Sequence, residues 1–493
     1  MMHDFDPNLI VPKSGHFIDG KVVGAGADRM QVIRPSDSEP YADIPLGSAE
    51  DVDRAVTSAH RAYRTAAWAR IAPRDRAKVM YRWADLIEAN KEELARLEAV
   101  GSTRPISEAI GWDVPFTAEA IRFFAEFADK LGGDVVATRP DHLGLIIAEP
   151  YGVIAAIAPW NVPLVTVSWK VGPALAAGNA VVLKPSEMTP FSVMRMAELA
   201  IEAGMPPGIF NIVQGNGPVT GDALCRHPLV GKITFTGSGR SGAAVMTASA
   251  ESGTKPVTLE LGGKSPQLVF GDAANLDKVA QSIARSMLGN AGQICVTGTR
   301  LIVQRNIEAE LIDRVGTIAK AIRPGATWKG DTTFSPIISA RQLDQIDAKV
   351  RSALDAGAEA AIGGHRIEHI QDGNFYEPTI LVNVKSDMPA VREEIFGPVV
   401  TVQHFDDEEE GIAMADDSIY GLAAGIYTAD LGRAMRAMRA LETGTVWINR
   451  YGRTKDFILP TGGYKQSGFG KDLGRQAVEA NMRLKTVLME FAE

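Results

Sequence analysis

Between residues 152 and 262 the chain alternates short β-rich runs with stretches of helical spacing, and this alternation constrains the fold more than any other feature. Gly152 to Ala158, Ala180 to Leu183, Phe210 to Val213, Lys232 to Thr236 and Val257 to Leu261 read as strands. Strands that alternate with helices are joined by crossovers, so they lie parallel in one doubly wound sheet, with a ligand at their carboxyl ends. Residues 263 to roughly 463 repeat the alternation, and no Pro/Gly/Ser linker precedes them. The expected fold is α/β, a Rossmann-like dinucleotide-binding domain beside a second α/β domain, with a cleft between them.

Residues 50 to 130 carry apolar side chains at helical spacing among charges, as in the run Asp75 to Ile87, and predict amphipathic helices. Residues 131 to 150 turn Gly-rich and then extended, and the tail from Arg483 to Phe491 has a comparable strand character. Each needs an edge partner.

With 493 residues, 45% of them hydrophobic, the chain holds enough apolar material for two or three domains. It has 51 Lys and Arg against 60 Asp and Glu, a net charge of −9, and no basic cluster long enough to suggest nucleic acid or an anionic membrane. Two cysteines, Cys225 and Cys295, exclude a disulfide framework and fit a reducing compartment. Cys225 reads as structural. No run of about 18 apolar residues is present, and the start, Met1 to Asp6, lacks a signal pattern. The expectation is a cytoplasmic protein with no nucleic-acid or membrane partner and no metal site.

The chemistry centres on Gly289-Asn290-Ala291-Gly292-Gln293-Ile294-Cys295-Val296, where a cysteine follows small residues that let backbone amides approach closely. Cys295 is expected near the start of a helix-bearing segment. A nucleophilic thiol requires a lowered pKa or a nearby base, together with donors aimed at the oxyanion it creates. Alone, the string fits a buried free cysteine equally well. Glu260, delivered by a β-branched run just before Gly262-Gly263, is a candidate base. Asn161, in the turn Pro159-Trp160-Asn161-Val162-Pro163, is a candidate oxyanion donor. Trp160, Trp169, Val162, Ile294 and Val296 suggest an apolar lining near the thiol.

These three settings, with Lys184-Pro185-Ser186-Glu187, Phe235-Thr236-Gly237-Ser238, Glu393-Glu394-Ile395-Phe396-Gly397-Pro398 and Gly463-Tyr464-Lys465-Gln466-Ser467-Gly468 in the same order, resemble the aldehyde dehydrogenase superfamily over nearly the whole chain. The resemblance implies NAD-dependent oxidation of an aldehyde to a carboxylic acid. Cys295 would form a thiohemiacetal and then a thioester, with Asn161 and the Cys295 amide at the oxyanion. Glu260 would be the base for the hydrolytic water, and Lys170 would lie near that base. Coenzyme-A-acylating members lack the glutamate, so Glu260 favours hydrolysis. All of Cys295, Glu260 and Asn161 are present, which argues against an inactive member kept as a binding protein.

The resemblance also places the cofactor on Ile157, Pro159, Trp160, Lys184, Ser186, Glu187, Gly217, Phe235, Thr236, Gly237, Ser238, Leu261, Gly262, Glu394 and Phe396. Lys184 and Glu187 would meet the adenosine ribose, Glu394 the nicotinamide ribose and Phe396 the nicotinamide. A carboxylate at Glu187 would repel a 2′-phosphate, so NAD is favoured over NADP. By the same resemblance residues 1–130 and 152–262 form the NAD-binding domain and 263–463 the catalytic domain. Residues 131–151 and 478–493 form a β-ribbon that joins subunits into a homodimer or homotetramer.

Two points stay open on the sequence. Gly237-Ser238-Gly239-Arg240-Ser241-Gly242 matches G-x-G-x-x-G between a strand and a helix, and as an ordinary Rossmann fingerprint it would make Glu260 the ribose acid. The family reading is preferred because Glu187 already supplies one. The basic loop Arg450 to Lys455 is expected to be a solvated loop or subunit contact, with attraction of a carboxylate-bearing aldehyde as the alternative. Asp472, where the family usually has Glu, is left without a role.

Overall fold

The computed structural model describes residues 3–24, 28–65, 68–370 and 372–491. The first two residues of the N-terminal stretch and the last two of the segment 478–493 lie outside this range. All five strands expected in the first half are present, at Val153–Ile157, Ala180–Lys184, Phe210–Ile212, Val230–Thr236 and Val257–Glu260. They pair in parallel in the order third, second, first, fourth, fifth. Winding outward in both directions from the first strand leaves a crevice between Val153–Ile157 and Val230–Thr236, where consecutive crossovers go to opposite sides. The antiparallel strands His16–Ile18 and Lys21–Val23 extend one edge, and Gly468–Phe469 closes the other against Val257–Glu260.

The expected helices of residues 50 to 130 form, among them Ala49–Thr65, Pro73–Ala89 and Val114–Glu126. Their apolar faces bury Val52, Met80, Trp83, Ile121 and Phe124 in one core with this sheet. The helix Pro163–Ala176 is buried along its whole length, so it has no polar face through which a charge could reach water.

A second sheet has seven strands, in the order Glu359–Ile362, Thr379–Val382, Val399–Phe405, Arg300–Gln304, Pro266–Val269, Ala423–Tyr427 and Thr445–Ile448. All pairs except the first are parallel. The chain passes from the first sheet to the second through Gly262 and Gly263, directly after Glu260. His142–Pro150, Met482–Glu490 and Asp134–Val136 form a separate antiparallel ribbon, in which Met482 faces Pro150 and Glu490 faces His142. Leu484 and Leu488, two pleats apart on that ribbon, are exposed. No helix among the described residues is long and apolar enough to cross a membrane.

Candidate active site

Cys295 stands on a turn between the helix Leu276–Leu288 and the strand Arg300–Gln304, and not at the start of a helix-bearing segment as expected. The helix ends at Gly289, whose ψ of 121° leaves the helical region; Asn290 and Ala291 then take a left-handed backbone, φ 50°, and Gly292 follows at φ 71°. A Cβ on Gly292 would clash with the Gly397 carbonyl, so glycine is required there. Beyond it, a bond from the Thr297 backbone N–H to the Ile294 carbonyl, 2.9 Å, closes the turn that presents the sulfur.

This turn is tied to Asn161 from both sides. The Asn161 side-chain amide donates to the Gln293 carbonyl at 2.9 Å, and the Asn290 amide donates to the Asn161 carbonyl at 2.9 Å. Gln293 is itself fixed by donation to the Asn290 and Pro336 carbonyls, both 2.9 Å, and by accepting from the Ile338 backbone N–H at 3.0 Å. Thr103 donates to the Asn290 side chain at 2.7 Å. An amide carries two N–H donors, so the bond to Gln293 leaves Asn161 a second one. The Cys295 backbone N–H has no acceptor among the described residues.

Glu260 ends the fifth strand, paired in register with Thr236, and its backbone carbonyl accepts from Gly237 at 3.0 Å. Its carboxyl is buried and Oε1 has no hydrogen-bond partner. Lys170 is buried too, so its ammonium cannot reach water. Its ammonium donates to Asp472 at 3.1 Å and to Thr234 at 3.2 Å. Burial pushes the Glu260 carboxyl up to about 8, and the negative charge of Asp472 pushes the same way, while Lys170, Arg453 and Lys471 oppose them. Burial also pushes the Cys295 thiol up to about 11; Arg453 opposes it, Glu260 and Glu394 add to it, and a hydrogen bond from the Val296 backbone favours the thiolate. Cys225 is structural in character, buried and pushed up to about 12.

One cavity of about 930 Å³ runs between the sheets. Of the residues singled out in the sequence, it brings together Cys295, Glu260, Asn161, Pro159, Trp160, Thr236, Gly237, Ser238, Leu261, Gly262, Glu394 and Phe396. Val162, Trp169, Ile294 and Val296 line it as well. Lys170, Ile157, Lys184, Ser186, Glu187, Gly217 and Phe235 lie outside its wall. Ile157 is in register with Lys184 on one side and Phe235 on the other, so all three mark the carboxyl ends of adjacent strands. The Lys184 ammonium donates to the Pro185 carbonyl at 3.0 Å and to Glu187 at 3.1 Å, and burial lowers its pKa. Ser186 accepts from the Met188 N–H at 3.3 Å. Gly217 opens a turn capped by Asn216, whose side chain accepts from Val219.

A dinucleotide fits this donor set. The crevice between the first and fourth strands opens under Pro159-Trp160 on one side and Gly237-Ser238 on the other. Ser238 caps the helix Gly239–Glu251, whose first N–H groups suit a phosphate. Farther along, Glu394 accepts from the Gly263 N–H at 3.1 Å, and burial pushes its carboxyl up to about 7. A Cβ on Gly262 would collide with that carboxyl. Phe396 holds a left-handed backbone, φ 55°, and sets its ring edge-on to Trp160 at 5.3 Å.

The loop Arg450 to Lys455 lines this same cavity: Arg450 and Lys455 are exposed, as a solvated loop requires, while Tyr451 to Thr454 between them are half-buried. The Arg453 guanidinium lies 4.9 Å over the Trp169 ring and the Lys455 ammonium 5.9 Å over Trp112. Aromatic faces draw the loop inward where no acid does. Trp112 and Phe116 also line the cavity and were not anticipated, because their spacing is that of any amphipathic helix. The partnership of Lys170 with Asp472 did leave a trace: a lysine in an otherwise apolar helix must find a carboxylate or lose its charge.

The sequence profile of the aldehyde dehydrogenase family matches residues 22–487. The NADP/NAD-dependent aldehyde dehydrogenase PuuC of Escherichia coli (strain K12) is 40% identical over 482 residues, covering 96% of this chain and 94% of that protein. An indole-3-acetaldehyde dehydrogenase crystallised with NAD+ is 40% identical, with 98% of each chain covered and a TM-score of 0.96. The gamma-glutamyl-gamma-aminobutyraldehyde dehydrogenase of Burkholderia cenocepacia J2315 is 39% identical, covering 99% of this chain and 98% of that one, with a TM-score of 0.96.

Proposed function

We propose how this chain, which belongs to the aldehyde dehydrogenase family, uses its own residues in the NAD-dependent oxidation of an aldehyde to a carboxylic acid. Cys295 Sγ bonds to the carbonyl carbon while the π pair moves to oxygen, where the second Asn161 N–H and the Cys295 N–H donate to it. Because burial holds the thiol up at about 11, its proton passes to solvent water as the C–S bond forms, and the Arg453 cation is the side chain that favours the thiolate. Bound NAD supplies the hydride acceptor, which leaves a thioester on Cys295. Glu260, ionised, takes a proton from a water as that water attacks the thioester carbon. The C–S bond then breaks, and the thiolate is regained with the carboxylate product. Lys170, held by Asp472, acts through Glu260 as a positioning residue.

The cofactor is assigned to the crevice above the first and fourth strands, with Lys184 and Glu187 at the adenosine ribose, Ser238 and its helix at the pyrophosphate, and Glu394 and Phe396 at the nicotinamide end. Ile157, Pro159, Trp160, Ser186, Gly217, Phe235, Thr236, Gly237, Leu261 and Gly262 form its bed. A Glu187 carboxylate favours NAD over NADP. Residues 1–130 and 152–262 make the NAD-binding domain, 263–463 the catalytic domain, and 131–151 with 478–493 a β-ribbon that joins subunits. The exposed Leu484 and Leu488 support that last role and a homodimer or homotetramer. Two unpaired cysteines support a cytoplasmic location.

The observation that carries the mechanism is the binding of the Asn161 amide to the carbonyl two residues before Cys295, in a cavity that Glu260 shares. The test is NADH formation with NAD and a panel of aldehydes, without coenzyme A. Wild-type protein gives steady turnover to carboxylate. Glu260→Gln gives one burst of NADH and a stalled acyl-enzyme detectable by intact mass. Full steady turnover in that variant refutes the assignment, and weakened NAD binding with intact chemistry would instead favour Glu260 as a ribose acid.

A further inference from the structure

The cations that line the cavity fall into two groups. Arg104 is bound to Asp113 at 2.8 Å and to Glu108 at 2.7 Å, and Lys349 to Glu393 at 3.1 Å. Arg285, Arg450, Arg453 and Lys455 line the same cavity, and no carboxylate partner is found for any of them among the described residues. The acids of the wall leave nothing over for these four. Glu108 and Asp113 are taken by Arg104, Asp472 is taken by Lys170, and Glu260 and Glu394 belong to the reaction centre and the cofactor. Arg285, Arg450 and Lys455 are exposed at the rim of the cavity, whereas Arg453 is half-buried against its wall, where an unpaired charge is screened least.

Arg453 and Lys455 are held by rings. Trp169 lies under the first and Trp112 under the second, and Phe116 stands between them, 6.1 Å from Trp169 and 5.4 Å from Trp112. Phe457 packs on Phe116 at 4.7 Å. A guanidinium stacked on an indole keeps its N–H fork free at the edge, in the geometry that receives a carboxylate bidentately. An apolar slot that ends in such a fork selects an apolar body with an anionic tip. Arg453 lines the same cavity of about 930 Å³ as Cys295 and Glu260, and its charge acts on both, so the body between aldehyde and anion must fit within that one space.

We propose that the aldehyde oxidised by this enzyme carries a carboxylate at the end opposite its carbonyl, across a ring or a few carbons, and that Arg453, with Lys455, receives it. This rests on the placing of Cys295 as the nucleophile in the same cavity. The bland alternative is that the two cations only pin the loop to the tryptophans. That alternative predicts no preference for charge.

The test compares kcat/KM for two matched pairs, 4-carboxybenzaldehyde with methyl 4-formylbenzoate and succinic semialdehyde with its methyl ester. The expected result is a preference for the acid of about tenfold or more in at least one pair, shrinking as salt is raised. In Arg453→Gln that ratio falls toward one whatever happens to the absolute rates, and Arg453→Lys recovers part of it. Ratios at or below one in both pairs, with NADH forming from the esters, overturn the proposal and leave the dehydrogenase mechanism standing. A ratio unchanged by Arg453→Gln also overturns it. If none of the four aldehydes gives NADH, the mechanism itself fails and this proposal goes with it.

Discussion

The two ends of the cavity are built on opposite plans. At the inner end the side chains around the thiol are braced, Asn161 by Gln293, Gln293 by three backbone groups, Lys170 by Asp472 and Thr234, and only the groups the reaction uses, the second Asn161 N–H, the Cys295 N–H and Glu260 Oε1, are left open. At the outer end Arg453 and Lys455 rest on aromatic faces and have no acid. A committed group cannot adapt to what arrives; an uncommitted one is completed by it. Preorganised donors stabilise charge that develops during reaction, because they need not reorganise at that moment. Cations left unpaired are instead settled by a ligand, and this makes them instruments of selection. The chemistry is thus fixed by the protein alone, and the choice of aldehyde is shared with the aldehyde.

Substitutions at the inner end should cost orders of magnitude and those at the outer end should cost selectivity. Cys295→Ala removes the one sulfur that lines the cavity among the described residues, and oxidation should fall by ~10⁴-fold or more in a steady-state NADH assay. Residual turnover within tenfold of wild type would sink the covalent mechanism. Asn161→Ala removes an oxyanion donor and also loosens the Cys295 turn, so kcat should drop about 10²–10³-fold. A change confined to KM would show that the amide only shapes the turn.

Asp472→Asn tests the charge beneath the base. Activity limited by Glu260 should rise with pH as its carboxyl ionises near 8. Removing the Asp472 charge takes away a repulsion and frees Lys170 to attract, and both effects lower the Glu260 pKa. The rising limb should therefore move to lower pH in kcat/KM profiles, and an upward shift would contradict the arrangement. The smallest effect is expected from Lys455→Met at the tip of the outer end. It should lower kcat/KM for a carboxylate-bearing aldehyde by roughly threefold, as for a partly screened charge. A loss as large as that of Asn161→Ala would erase the contrast between the two ends.

Much of this could be read from residues alone, for identifiable reasons. Strand runs such as Ala180 to Leu183 are β-branched and unbroken because parallel strands are buried on both faces, and that signal is local. The position of Glu260 at a strand end before two glycines is equally local. The turn at Cys295 was misplaced because helix spacing runs up to it. The helix ends at Gly289, and the chain then turns through a left-handed backbone at Asn290 and Ala291, which the alanine does nothing to advertise. Bracing of Asn161 by Gln293 is a contact across 132 positions, and no spacing rule reaches that far. The loop Arg450 to Lys455 reads as solvated because three cations usually are. Only the rings of Trp169 and Trp112, distant in sequence, reveal that it also faces the cavity.

The pairing of Lys170 with Asp472 spans 302 positions, and the strand that carries Glu260 is edged by Gly468–Phe469. During synthesis the cysteine, the asparagine and the glutamate leave the ribosome long before these last partners do. A chain folding from its beginning therefore holds its thiol in an unfinished setting until residues 468 to 472 have emerged. A copy that stops short of residue 468 would carry the nucleophile but lack both the edge strand beside Glu260 and the acid that holds Lys170, and should not turn over aldehyde.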